Sequence, residues 1–271
     1  MRIARFTVGT ADPRYGVVDG LGPDGETDEA FVAVVEGDPL YRPLQLTGER
    51  VRLADVRLLA PVIPRSKVVG IGRNYAEHAA ELGHEVPTEP LMFLKPNTSV
   101  IGPDDAVVLP RQSTEVHHEA ELAVVIGRLC KDVLAERAAD VVFGYTCAND
   151  VTARDLQRSD GQWARAKGFD TFCPLGPWVT TGIEPGDLAV QCRVNGRTTQ
   201  SGRTSQMLAD VPALVSAVSS AFTLLPGDVI LTGTPAGVGP VVAGDVVEVD
   251  IEDIGTLRHR VVAEPGGVSN R

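Results

Sequence analysis

No stretch of this 271-residue chain approaches the roughly 20 consecutive apolar residues that a membrane span needs, so a membrane partner is not expected. Positive charge is scarce as well: 25 lysines and arginines stand against 36 aspartates and glutamates, a formal net charge of −11. That balance argues against nucleic acid and against anionic membrane surfaces as partners. An acidic chain that binds an acidic substrate must gather a few of its cations locally. Cysteine is sparse and scattered, and Cys130, Cys147, Cys173 and Cys192 show no C-x-x-C spacing. A zinc knuckle or a disulfide framework is therefore not expected, a reducing compartment is, and the four read as small buried hydrophobes. The start, Met1 to Val8, alternates like a strand and lacks the apolar run and cleavage site of a signal peptide, which makes a cytoplasmic location the expectation.

Long helical patterns are few. The best runs from Asp210 to about Leu224, with Asp210 as N-cap, Pro212 in the first turn and apolar residues at Leu214, Val218 and Ala221. A shorter helix is expected from Asn74 to Leu82, closed by Gly83 in a left-handed conformation. Most of the remainder reads as strands. Asn195-Gly196 between two strand-like runs predicts a hairpin. Three Gly-Asp pairs, Gly186-Asp187, Gly227-Asp228 and Gly244-Asp245, each precede an apolar run, as turns feeding strands would. The expected class is α+β and mainly β, a mixed sandwich or roll with short helices. Pro61 and Pro64 bracket a linker. The expected organisation is a small β-rich N-terminal domain over 1–62, a catalytic domain over 65–264 and a loose tail over 265–271.

Chemistry concentrates in His117-His118-Glu119-Ala120-Glu121-Leu122, which leads into the apolar strand Ala123 to Ile126. Residues two apart on a strand point to the same side, so Glu119 and Glu121 would stand together. Two adjacent carboxylates at the mouth of a buried strand repel unless a cation neutralises them. Asp150 ends another apolar run, Val141 to Ala148, and a neighbouring strand could bring it to the same point. Three carboxylates with no sulfur favour Mg²⁺ or Mn²⁺ over Zn²⁺. Taken alone, the E-x-E pattern fits equally well a pair of glutamates facing solvent on an edge strand.

The chain resembles the fumarylacetoacetate hydrolase superfamily, in its branch of acylpyruvate hydrolases, oxaloacetate decarboxylases and 2-hydroxyhepta-2,4-diene-1,7-dioate isomerases. Six motifs stand in family order: Gly72-Arg73-Asn74-Tyr75-Ala76-Glu77-His78, Phe93-Leu94-Lys95-Pro96, His117 to Leu122, Asn149 to Gln157, Ala166-Lys167-Gly168-Phe169-Asp170 and Leu231 to Gly239. By this resemblance Glu119, Glu121 and Asp150 would be ligands of Mg²⁺ or Mn²⁺. His78 and Glu81, three apart on one helix and able to touch, would form a catalytic dyad on a lid. Lys167 would be a further catalytic group, and Arg73, Lys95, Gln157 and Thr234 would bind the substrate. Arg154 would either join them or brace the metal loop in an ion pair. His117 and His118 read as support behind the ligands or as ordinary packing, and His84 and His259 as surface residues. The segment Arg158 to Ala166 is expected to line the distal part of the pocket.

The resemblance implies a metal-dependent enzyme that cleaves a C–C bond of an acylpyruvate-type 2-oxo acid through a pyruvate enolate, acting as a cytoplasmic homodimer. The alternative within the family is an isomerase or decarboxylase of aromatic-acid breakdown, or an oxaloacetate decarboxylase. Two readings of other classes compete. A dinucleotide-binding turn at Gly70-Ile71-Gly72 fails because Tyr75 stands where a further glycine is required. A non-catalytic binding protein would not need the dyad, the carboxylates and Lys167 together.

Overall fold

The structure is a computed structural model and describes residues 1–22, 29–81, 83 and 85–266. Of the expected tail, residues 267–271 lie outside that description, as does His84. The architecture is mainly β with four short α-helices among the described residues, in keeping with the expected class. No helix among the described residues is long and apolar enough to cross a membrane.

The strand Ala120–Ile126 lies at the centre, and all of its residues are buried. It runs antiparallel to Val142–Asn149 on one side and to Val229–Leu231 on the other. The sheet reaches twelve strands, passing through Cys173–Thr180 to the N-terminal strand Arg2–Thr7 on one flank and through Val68–Gly72 to Leu91–Lys95 on the other. Alternation along the central strand sorts its side chains into two cores. Leu122, Val124 and Ile126 pack with Val190, Val249 and Leu257 of a five-stranded sheet laid over this face. Ala123 and Val125 pack with Leu175, Val229 and Leu231 on the other face. Each valine, leucine or isoleucine among them contributes about 1.5–3 kcal/mol by leaving water, so a truncation such as Leu122→Ala costs about 2–5 kcal/mol. Cys147, Cys173 and Cys192 are buried and Cys130 half-buried, all as free thiols. Burial pushes the thiols of Cys173 and Cys192 up to about 12, which suits inert packing groups.

Local signals explain the remaining elements. Asn195 and Gly196 take φ of 52° and 78° and join Ala189–Val194 to Arg197–Arg203 as an antiparallel hairpin. The Gly-Asp turns feed Ala189–Val194, Val229–Leu231 and Val246–Ile251. Helix α1 (Ala76–Glu81) begins two residues later than expected, Leu82 lies outside the described residues, and Gly83 has φ 68°. Helices α2 (Arg154–Asp160) and α3 (Ala164–Gly168) follow Asp150. Helix α4 (Val211–Ala221) begins at Asp210, whose carboxylate accepts from the Ala213 N–H at 2.9 Å. It stops at Ala221 rather than near Leu224, because Leu224 exchanges two backbone hydrogen bonds with Cys130, and that pairing demands extended backbone.

Candidate metal centre and active site

Glu119 stands in the break between the strands Val116–His118 and Ala120–Ile126. The antiparallel register sets Ala120 opposite Asn149, and the Asp150 N–H donates to the Glu119 carbonyl at 2.9 Å. Asp150 thus arrives beside Glu119 at the end of the adjacent strand. Glu121, two residues beyond Glu119, completes the group. None of the three is more than 3% exposed, and each offers an oxygen within 4.8 Å of the others.

Three side-chain cations face this buried charge. Lys167, on α3, donates to Asp150 Oδ2 at 2.6 Å, to Glu119 Oε2 at 2.9 Å and to Thr152 Oγ1 at 2.7 Å. Lys95 donates to Asp150 Oδ1 and to the Phe172 carbonyl, and Arg154 donates to Glu119 Oε1. Burial pushes the Glu119 carboxyl up, but Arg154 and Lys167 outweigh it and hold the group well below the usual carboxylate range. Burial lowers the Lys167 ammonium, and Asp150 and Glu119 more than restore it, so that it ends above its ordinary value. Glu121 differs. It accepts the Gly233 N–H at 2.7 Å and has no ion-pair partner among the described residues. Burial, then Asp150 and Glu119, push its carboxyl well above the usual range. A hard divalent cation fits this donor set of three converging buried carboxylates without sulfur, one of them lacking a cation of its own.

Helix α1 closes over the same cavity. Its base is pinned by Asn74, whose amide nitrogen donates to the carbonyls of Thr232 at 2.8 Å and Ala209 at 3.0 Å. His78 is 4% exposed and lines the cavity together with Glu119 and Glu121. Its Nδ1 lies 3.2 Å from Glu81 Oε2, leaving Nε2 as the nitrogen free for proton transfer. The Glu81 carboxylate also accepts the Gly237 N–H, at 3.1 and 3.2 Å from its two oxygens. The dyad is thereby tied to the loop after Val229–Leu231.

The enclosed space is about 30 Å³, room for about two waters. Its outer wall is aromatic: Phe93 and Trp163 meet edge to face at 5.5 Å, and the Lys167 ammonium lies 4.8 Å from the Phe93 ring centre. The strand beneath needs glycine, since a Cβ at Gly70 would come within 2.1 Å of the Phe93 ring and one at Gly72 within 2.5 Å of Trp163. Arg73 lines the cavity at φ 58°, a conformation non-glycine residues hold only under constraint, and its buried Nε has no partner among the described residues. Its guanidinium carbon lies 5.9 Å from the Trp163 ring centre.

The other residues singled out in the sequence fall in distinct places. Gln157 lines the cavity and accepts from Arg154 at 2.9 Å, which leaves its amide N–H groups to donate. Thr234 also lines it, but its hydroxyl donates to the Ala120 carbonyl at 2.8 Å and presents only a lone pair. Lys95 lies behind Asp150 rather than on the cavity wall. Arg154 braces Glu119 and lines the cavity as well. His259 is a correction: read as a surface residue, it is completely buried. The signal was available, because Leu257, His259 and Val261 alternate with charged or polar neighbours and share the inward face of Gly255–Ala263. Gln200 was not foreseen. It receives His118 Nδ1 at 3.1 Å and reaches Thr234 and Pro235, contacts between segments far apart in sequence.

Comparison with known proteins identifies the family. Residues 67–262 match the family described as fumarylacetoacetate (FAA) hydrolase C-terminal, and residues 1–61 match one described as Rv2993c-like, N-terminal. The crystal structure of 2-hydroxyhepta-2,4-diene-1,7-dioate isomerase from Mycobacterium marinum is 47% identical, with a TM-score of 0.89 over 98% of this chain and 99% of that one. The human mitochondrial oxaloacetate tautomerase FAHD2A is 48% identical over 77% of this chain and 70% of its own length. Fumarylpyruvate hydrolase from Pseudomonas aeruginosa, solved in complex with Mn²⁺ and pyruvate, is 36% identical, with a TM-score of 0.71 over 74% of this chain and 91% of that one. The chain is an enzyme of the fumarylacetoacetate hydrolase superfamily, in the branch that holds hydrolases, isomerases and an oxaloacetate tautomerase.

Proposed function

We propose that this enzyme is a divalent-metal-dependent hydrolase that cleaves the C–C bond of an acylpyruvate-type 2-oxo acid. The observation that carries the reading is the buried Glu119–Glu121–Asp150 group, of which Glu119 and Glu121 line the cavity that His78 also lines. Those three carboxylates would hold Mg²⁺ or Mn²⁺, which when bound supplies Lewis-acid neutralisation of the charge that develops on a pyruvate enolate. Charge supports an anionic substrate: the three carboxylates are equalled in number by Lys95, Lys167 and Arg154, none of which pairs with Glu121, so a divalent ion leaves the cluster two charges positive.

In this reading His78 takes a proton from water through Nε2, while Glu81 orients the ring and stabilises its charged form. The resulting hydroxide attacks the distal carbonyl, the bond between that carbon and the methylene breaks, and its electron pair passes into the pyruvate fragment. Lys167, which lines the same cavity, returns a proton to that fragment. Arg73 and the Gln157 amide bind substrate oxygens, Thr234 borders them, and Lys95 holds Asp150 in position. Phe93 and Trp163 keep bulk water out. The enzyme is taken to work in the cytoplasm as a homodimer.

One observation favours a second reading. The human oxaloacetate tautomerase is 48% identical to this chain, and keto–enol tautomerisation or decarboxylation of a small 2-oxo diacid needs no attacking water. A turnover screen with Mg²⁺, Mn²⁺ and an EDTA control separates them. Metal-dependent loss of acetylpyruvate or fumarylpyruvate with release of pyruvate supports hydrolysis. Activity confined to oxaloacetate or to 2-hydroxyhepta-2,4-dienedioate replaces it with the second reading, and no activity on any of these removes both.

A further inference from the structure

Glu119 occupies a weak point in the backbone. It belongs to neither flanking strand, and the chain there passes from a three-stranded sheet to the twelve-stranded one. Two consecutive peptide N–H groups at this bend are held by side chains instead of by a strand ladder. The Glu119 N–H donates to Asn149 Oδ1 at 2.8 Å, and the Ala120 N–H donates to Gln200 Oε1 at 3.0 Å. Both restraints depend on which end of an amide is presented, since a nitrogen turned inward would meet the peptide N–H and repel it.

For Gln200 the choice is over-determined, because its nitrogen donates at 2.7 Å to both Thr234 Oγ1 and the Pro235 carbonyl. For Asn149 a single group decides. Its nitrogen lies 3.0 Å from Nε2 of His259, and this geometry requires an unprotonated Nε2 that accepts. We propose that His259 is a positioning residue for the metal-binding carboxylates, acting through Asn149 to hold the Glu119 bend. This rests on the metal reading above and adds to it a residue far along the chain that touches neither metal nor substrate.

Packing does not explain His259. It sits between Leu257 and Val261 on an apolar stripe, is completely buried, and leaves Nδ1 without a partner among the described residues, so an aliphatic side chain would serve the core better. Among the described residues the titratable neighbour bearing on it is His118; burial lowers the pKa of both rings, that of His259 to about 3. A neutral ring with its proton on Nδ1 is the form that accepts from Asn149.

The test uses the full chain and Mn²⁺ alone, with affinity read by electron paramagnetic resonance and the melting temperature of the metal-free protein read alongside. His259→Leu keeps the volume and loses the acceptor. It is expected to weaken Mn²⁺ binding by about 10- to 100-fold without lowering the melting temperature. His259→Gln, whose amide oxygen can accept from Asn149, is expected to stay within about threefold of wild type, on the same scale. Wild-type affinity in His259→Leu overturns the proposal. In the unmutated protein, ¹⁵N correlation spectra are expected to show His259 neutral with its proton on Nδ1, and a proton on Nε2 overturns the proposal whether or not the leucine variant folds. Wild-type protein that takes up no Mn²⁺ overturns the metal reading and this proposal together, whereas equal binding by wild type and His259→Leu overturns this one alone.

Discussion

The ammonium of Lys167 stands 2.6 Å from Asp150 Oδ2, where both side chains are sealed from water. Without a metal ion the lysine is the main counter-ion shared by Asp150 and Glu119. Breaking a buried pair by removing one partner costs about 3–5 kcal/mol, because the other charge stays buried. Lys167→Met is therefore expected to lower the melting temperature of the metal-free protein, and added Mn²⁺ to raise it by more than in wild type. Calorimetry with and without Mn²⁺ checks this, and an equal metal response in both proteins removes the counter-ion role.

Glu121→Gln separates metal binding from folding better than any change at Glu119, which is tied to Arg154 and Lys167. Glutamine keeps an acceptor for the Gly233 N–H and removes a carboxyl that burial already disfavours as an anion. The melting temperature of the metal-free protein is expected to hold or rise, while Mg²⁺-dependent turnover falls at least about 100-fold. Retained turnover would refute the metal assignment.

His78→Ala is expected to reduce hydrolysis of an acylpyruvate by about 10²–10⁴-fold, the usual worth of a positioned general base. Glu81→Gln keeps a hydrogen bond to the ring but loses the charge, and its effect is expected to be smaller. Decarboxylation of oxaloacetate, which needs no activated water, is expected to suffer less in both variants. Parallel losses in the two reactions would end the water-activating role.

Trp163 and Phe93 form the wall of a small space, so Trp163→Ala is expected to admit longer substrates. The ratio of kcat/KM for fumarylpyruvate over acetylpyruvate is expected to rise about tenfold, the scale on which a pocket of this kind discriminates size. An unchanged ratio would place the size limit elsewhere.

The buried ring of His259 makes stability depend on pH. Its folded-state pKa of about 3 lies below the value of about 6.5 in an unfolded chain, so between these values the unfolded chain binds more protons. Its contribution is full above about pH 6.5 and is lost towards pH 3, by up to about 1.4 kcal/mol per pH unit. His117, lowered to about 4 by burial and then by Arg154, acts in the same direction. Urea unfolding between pH 7 and pH 4 is expected to show a shallower decline in His259→Gln than in wild type. Superimposable curves would show that the ring is not the group responsible.

Local chemistry reached much of this protein. Asn195-Gly196 demands positive φ at two successive residues, and a tight hairpin meets that demand. Asp210 can cap only a helix that starts after it. Glu119 and Glu121 share a side because alternation is a property of any strand. What the local signals missed was set by distant partners. Leu224 left its helix for a pairing with Cys130, and Gln200 carries no mark of its own until the fold brings His118, Ala120 and Thr234 around it.

The motifs from Gly72 to Gly239 were enough, read in order, to identify the superfamily and to single out most of the polar side chains that line one cavity, because side-chain type and strand period are written residue by residue. The assignment of cations to carboxylates was not legible there. Lys95 and Lys167 read alike along the chain, yet one lies behind Asp150 and the other spans Asp150 and Glu119 at the edge of the cavity. That difference, like the burial of His259 and the isolation of Glu121, arises from distances between residues 17 to 112 positions apart. Burial and charge pairing are properties of those distances, and they come into being when the sheets close on one another.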